Sequence, residues 1–174
     1  GEYREVYDMI VDESKNQVRL LSPFGSLYTY DLEGNFIKQN QLPEKSNYQA
    51  MEQIGDNIMT WTIPVSSDEP CITIVNADNG KEVSSLWKGP RILNSLSGGS
   101  FYTYDGKTYF APAFHNNEIL EITEDSLKLA YKWDFGKDNI DISKYNFTLT
   151  DDNQAEEGRL MTDYLENGTI PYLL

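Results

Sequence analysis

Along the chain, apolar and β-branched residues come in short runs separated by polar turns rich in Gly, Asn and Asp. Tyr7 to Val11 (YDMIV) predicts a strand, Ser14-Lys15-Asn16 a turn, and Gln17 to Leu21 (QVRLL) a second strand in which Val18 and Leu20 alternate against an outward Arg19. Leu27 to Asp31 and Asn35 to Gln39 then flank Glu33-Gly34 as a hairpin, after which Pro43 removes a ladder donor and closes the unit. The same plan returns with Tyr48 to Ile54, the turn Gly55-Asp56-Asn57, Ile58 to Ile63, a Pro-bounded loop from Pro64 to Pro70, and the hairpin VNADNGKEVSSLW from Val75 to Trp87. It returns again with Ser100 to Tyr104 and Thr108 to Pro112 around Asp105-Gly106, a dipeptide suited to a type I′ turn. Ile119 to Thr123 and Leu127 to Phe135 follow.

These units keep a fixed period. Gly34 and Gly80 lie 46 positions apart, and Ser126 takes the place of the turn glycine another 46 positions on. A period of about 40 to 50 residues with four short strands per unit predicts an all-β architecture, a segment of a β-propeller. The blades, each with strands a to d, are expected at about residues 4–44, 45–90 and 91–137 of a single domain. Beyond Gly136 the period changes. Asn153 to Leu165 sets Leu160, Met161, Tyr164 and Leu165 on one face, with Glu156 and Glu157 in the first turn, and predicts a short helix within an insertion; Ile170 to Leu174 reads as the opening of a fourth blade. Three blades and the start of a fourth leave inter-blade faces uncovered at both ends. The expectation is a longer parent chain, or two copies joined through those faces.

Charge narrows the partners. With 28 acidic against 14 basic residues the net charge is −14, which repels a phosphate backbone, so no nucleic acid and no anionic membrane surface is expected as partner. No apolar run reaches the roughly 20 residues of a membrane span, and the opening GEYREVYDMI lacks the basic-then-apolar layout of a signal peptide.

The opening GEY, the run YDMIVDESKNQVRLLSPFGSLYTYDLEGNFIKQNQLP and, most specifically, EILEITEDSLKLAYKWDFGK from Glu118 to Lys137 resemble six-bladed β-propeller proteins that gut Gram-negative bacteria secrete or display as lipoproteins. The chain is similar to about the middle half of such a protein. The resemblance implies an extracytoplasmic place, at the periplasm or cell surface, and further blades on both sides; the family brings no catalytic motif. More distantly the chain is similar to NHL-type propellers, which mostly bind partners.

Chemistry-bearing motifs are sparse. One histidine, His115, and one cysteine, Cys71, do not make a zinc site, and a Cys71–His115 nucleophilic pair would join a mid-strand residue to a loop of another blade. GxSxG, HExxH, GxxxxGK[ST] and GxGxxG are all missing from the sequence, and no cofactor is expected. A calcium loop starting at Asp151 would put Glu156 where Gly is required and Thr162 where a bidentate Glu is required. Asn146-Phe147-Thr148 and Asn167-Gly168-Thr169 match a glycan acceptor pattern that is idle in a bacterial protein. In a propeller the b–c and d–a loops share one face around the axis, and loops on a rigid scaffold are where binding residues gather. Phe24, Arg91, Phe114, His115, Asn116 and Asn117 lie on such loops and are the candidate ligand-binding residues; Trp61, Trp87, Tyr102 and Tyr109 lie in strands and read as core. The expected function is non-catalytic binding of a carbohydrate, peptide or protein partner. The alternatives are a glycan-active or lactonase-type enzyme, for which the first strands offer only Asp8 and Glu52 as acids, and a purely structural assembly element.

Overall fold

The computed structural model describes residues 5–43, 47–62, 70–86, 100–111 and 118–138, together with the helical positions Arg159, Thr162 and Glu166. Twelve strands form three four-stranded sheets among the described residues. Blade 1 holds β1 (Asp8–Asp12), β2 (Gln17–Leu21), β3 (Ser26–Asp31) and β4 (Phe36–Gln41). Blade 2 holds β5 (Tyr48–Ile54), β6 (Asn57–Thr62), β7 (Ile72–Asn76) and β8 (Glu82–Ser85). Blade 3 holds β9 (Ser100–Tyr104), β10 (Lys107–Ala111), β11 (Glu118–Ile122) and β12 (Leu127–Lys132). Each sheet is an antiparallel meander in chain order, so strands that follow one another within a blade are neighbours in space. The first strands come together across blades, β1 against β5 and β5 against β9, which puts them innermost. The architecture is therefore all-β and propeller-like, as the period of the sequence predicts.

Turn chemistry fixes the hairpins. Asp105 and Gly106 both have positive φ, 49° and 69°, the geometry of a type I′ turn. Gly34 and Gly80 are left-handed as well, at 86° and 71°. Ser126 departs from them. The third outer hairpin closes on Thr123 and Ser126, with Thr123 N–H donating to Ser126 O at 2.9 Å, and no residue of that turn has positive φ. A hydroxyl pair, Thr123 Oγ1 and Ser126 Oγ at 2.7 Å, supports the turn, so a residue bearing a Cβ fits where the other blades need glycine. β12 stops at Lys132 rather than Phe135, because Asp134 Oδ1 accepts from Gly136 N–H at 2.8 Å and turns the chain into a single 3-10 turn over Gly136–Asp138.

The core lies between blades. Leu21, Leu27 and Leu42 of the blade 1 side pack with Tyr48, Met51, Ile58, Val75 and Ala77 of blade 2. The other face of blade 2, with Met59, Trp61, Cys71, Ile72 and Ile74, packs on Phe110, Leu120 and Ile122. Blade 2 is thus covered on both sides, and IMTWT and ITIV are continuously buried rather than alternating. Full burial of each large apolar side chain contributes about 1.5–3 kcal/mol. Phe110 anchors the second layer, its ring centroid 5.8 Å from Trp61 and 5.2 Å from Phe101.

Two readings of burial from the strand pattern need correction. Arg19 is fully buried and faces blade 2, while Val18 and Leu20 are half-buried on the opposite side. The facing sheet takes the alternate set because Arg19 meets Asp12 at 2.8 Å and Gln53 Oε1 of blade 2 at 3.2 Å, so the charge is paired inside. Tyr102 is exposed rather than core, since it and its cross-strand partner Tyr109 lie on the side of blade 3 turned away from blade 2. Trp61 is core as expected, and Trp87 lies outside the described residues. Arg159, Thr162 and Glu166 are helical and exposed, at and just beyond the C-terminal half of the stretch expected to form a helix. Its apolar positions Leu160, Met161, Tyr164 and Leu165, and the opening of a fourth blade at 170–174, lie outside the described residues.

Candidate functional site

The loop between β2 and β3 is the b–c loop that falls wholly among the described residues. Ser22 is buried and organises it: its Oγ accepts from Phe24 N–H and Ser26 N–H, both at 3.2 Å, and its carbonyl accepts from Gly25 N–H at 3.1 Å. Gly25 sits at φ +77°, and a Cβ there would stand 2.9 Å from the Tyr48 ring. Glycine therefore lets the loop press against blade 2. Leu42 N–H donates to Gly25 O at 2.8 Å, Tyr48 N–H to Pro23 O at 3.1 Å, and Gln41 Nε2 to Phe24 O at 3.2 Å. Every peptide around Phe24 is thereby tied down, yet its side chain is 74% exposed. Tyr48, whose hydroxyl donates to Pro43 O at 2.7 Å, backs the loop; burial, and then the nearby Glu82 carboxylate, push its phenol well above the ordinary range, so it stays neutral.

Of the six candidate binding residues, Phe24 alone falls among the described residues. Arg91, Phe114, His115, Asn116 and Asn117 lie outside them. The strand ends that bracket 112–117, Ala111 and Glu118, correspond in blade 3 to Leu21 and Ser26 in blade 1.

The two first-strand acids are engaged with backbone. Asp8 Oδ2 accepts from Met51 N–H at 2.7 Å and Oδ1 from Met9 N–H at 2.8 Å, so this carboxylate stitches β1 to β5. Glu52 Oε1 accepts from Gln53 N–H at 2.9 Å. Among the described residues no group of three or more His, Cys, Asp and Glu side chains is arranged to hold a metal ion, and Cys71 is buried.

At the opposite ends of the strands a charged cluster joins blades 1 and 2. Burial works against ionisation of Asp12, but hydrogen bonds from Ser14 at 2.6 Å and Arg19 at 2.8 Å, the Arg19 charge and the Lys15 N–H outweigh it and hold the carboxyl at about 2. Asp78, on the blade 2 outer turn, meets Lys38 Nζ at 3.3 Å and Lys15 Nζ at 3.6 Å; the Lys38 hydrogen bond leads in lowering its pKa, followed by the two lysine charges. The sequence pattern hides this cluster because Arg19 reads as the polar member of an alternating strand. The signal that could have found it is Asp12, which the hairpin register sets opposite Gln17, beside Arg19 on the same face.

Comparison with known proteins agrees with the fold. A family model described as a 6-bladed beta-propeller matches residues 1–169. No curated protein matches. Among solved structures, a catalytically inactive virginiamycin B lyase from Staphylococcus aureus with quinupristin is similar at 15% identity and TM-score 0.54, over 77% of this chain and 43% of that one. The hydrazine synthase of Kuenenia stuttgartiensis is similar at 12% identity and TM-score 0.51, over 72% and 34% respectively. The computationally designed Ika8 protein follows at 12% identity and TM-score 0.50, over 76% and 38%. The chain spans less than half the length of each of these three structures, and the likeness is one of fold. By its match over nearly the whole sequence, the chain belongs to the 6-bladed beta-propeller family.

Proposed function

We propose that the chain is part of a non-catalytic binding propeller that takes a carbohydrate, peptide or protein partner on its b–c loop face, outside the cytoplasm. The observation that carries this reading is Phe24, an exposed aromatic ring on a loop whose backbone is fixed from three sides. A large apolar side chain held rigidly in water lowers the ordering cost of binding, and aromatic rings recur as the anchors of interfaces and sugar platforms. The engagement of Asp8, which joins β1 to β5 through the Met51 N–H, supports binding over hydrolysis, and Glu52 accepts from the neighbouring Gln53 N–H. The compartment rests on the resemblance to secreted and lipoprotein propellers.

A glycan array, screened with and without added calcium, supplies the ligand, and Phe24→Ala then tests the site. Loss of an anchoring ring costs about 2 kcal/mol, or roughly thirtyfold in affinity, with the melting temperature almost unchanged because the side chain is exposed. Equal affinity of Phe24→Ala and the parent for an identified ligand would place the site elsewhere.

A further inference from the structure

A row of polar side chains runs outward from Phe24, and none of them is charged. Gln41 Nε2 donates to Phe24 O at 3.2 Å, Ser26 Oγ donates to Gln41 Oε1 at 3.4 Å, and Gln39 Nε2 donates to Ser26 Oγ at 3.1 Å. These bonds orient the two amides without using them up. A glutamine amide has two N–H donors and two acceptor lone pairs, so Gln41 keeps one N–H and one lone pair, while Gln39 keeps one N–H and the whole of its Oε1. Both residues are exposed. The loop backbone has nothing left to offer, because the N–H groups of Phe24 and Gly25 and the carbonyls of Pro23, Phe24 and Gly25 are all paired within the protein. A neighbouring blade does not close this row off. Ser85 of β8 holds in blade 2 the place of Gln39 in β4, opposite Thr73 as Gln39 is opposite Tyr28, and it is exposed although blade 1 packs on that side of blade 2.

We infer that Phe24, Gln41 and Gln39 form a subsite for an uncharged carbohydrate. This rests on the reading of Phe24 as a binding residue. A sugar ring turns a face of C–H groups to an aromatic side chain, and its rim carries hydroxyls that each donate and accept, which a glutamine amide answers with an N–H and a C=O side by side. An extended peptide is held differently. It pairs its own amides with a free backbone edge, and the backbone groups of this loop are already taken. Charge then decides the class of sugar. With no cation in the row and a net charge of −14 on the chain, uronate and sulfate groups are repelled and a neutral sugar is not.

The 174-residue protein is screened against neutral cello-, xylo-, malto- and manno-oligosaccharides, against uronate-bearing and sulfated sugars, and against a random peptide phage library. Neutral oligosaccharides should bind, and their charged counterparts should bind at least about tenfold more weakly. Titration calorimetry with a neutral oligosaccharide that binds then reads the subsite. Phe24→Ala should weaken it about thirtyfold, and Gln39→Met, which keeps the side chain's length and leaves every bond of the loop backbone in place, about fivefold. Circular dichroism and the melting temperature of both variants should match the parent. Phage-selected peptides that lose their hold in Phe24→Ala, with no neutral sugar bound, would overturn the carbohydrate and leave Phe24 as a binding residue. A preference for uronate or sulfated sugars, or a neutral sugar bound equally by Gln39→Met and the parent, would do the same. A neutral sugar held equally by Phe24→Ala and the parent would overturn the subsite and that reading together, as would a protein that binds nothing in either screen.

Discussion

Asp12→Ala leaves the Arg19 guanidinium buried beside Gln17 and Gln53 without a counter-charge. Arg19 is fully buried and Asp12 only 5% exposed, so solvent does little to replace the lost partner. Removing one member of a buried pair costs about 3–5 kcal/mol, a large part of the roughly 5–15 kcal/mol that holds a domain folded. For a chain of this size that is a fall of roughly 6–20 °C in melting temperature near neutral pH. The pair also sets a pH dependence. The Asp12 carboxyl is lowered from 3.8 to about 2 in the fold, so its contribution is complete above the unfolded value and disappears as pH falls through the folded one. Melting curves followed by circular dichroism should therefore show the gap between parent and Asp12→Ala narrowing from about pH 4 to about pH 2. The paired replacement Asp12→Leu with Arg19→Met should recover much of the loss, because it removes both charges together. A drop of less than about 1 kcal/mol for Asp12→Ala near neutral pH, or a gap independent of acid, would refute the buried-pair reasoning.

Other substitutions probe the frame of the loop face. Gly25→Ala should destabilise by about 2–3 kcal/mol in a denaturant melt, since left-handed φ and a 2.9 Å approach to the Tyr48 ring add together, whereas Gly106→Ala, with the same sign of φ and nothing within 4 Å, should lose only about 1 kcal/mol. Tyr48→Phe removes the 2.7 Å hydrogen bond to Pro43 and should cost about 1 kcal/mol at neutral pH. Because the folded phenol titrates above the unfolded one, its neutral form is favoured by folding; stability is whole below the unfolded pKa of about 10 and falls as pH rises past it, a loss that Tyr48→Phe should abolish in alkaline melts. Cys71, 2% exposed, should react with a thiol reagent only at the rate of unfolding, and rapid labelling of the native protein would contradict its place in the blade 2–blade 3 core.

Much of the fold is legible in the sequence because its determinants are local. Glycine-ended turns at Gly34, Gly80 and Gly106 demand left-handed φ, and the spacing of the first two exposes the repeat before any contact is known. What fails is the step from alternation to burial. In a stack of sheets both faces of a blade are covered, so period 2 tells which residues share a face and not which face meets solvent. Arg19 reads as the polar member of its strand for this reason, whereas Tyr102, read as core because it lies in a strand, falls on the side of blade 3 turned away from blade 2 and is exposed. The charge that belongs inside is revealed only when the β1–β2 register brings Asp12 beside it. Phe24 is legible as a loop aromatic, but its exposure depends on Ser22, Gln41 and Tyr48 holding the backbone, contacts that span up to 25 positions of sequence between Pro23 and Tyr48.

The radial arrangement of blades is tested most directly by nuclear Overhauser contacts between first strands. The account predicts cross-peaks from the Met51 amide to the Asp8 side chain, across the 2.7 Å hydrogen bond, and further contacts between β5 and β9. A ladder of backbone contacts running from β4 into β5, which would merge blades 1 and 2 into one continuous sheet, would contradict it.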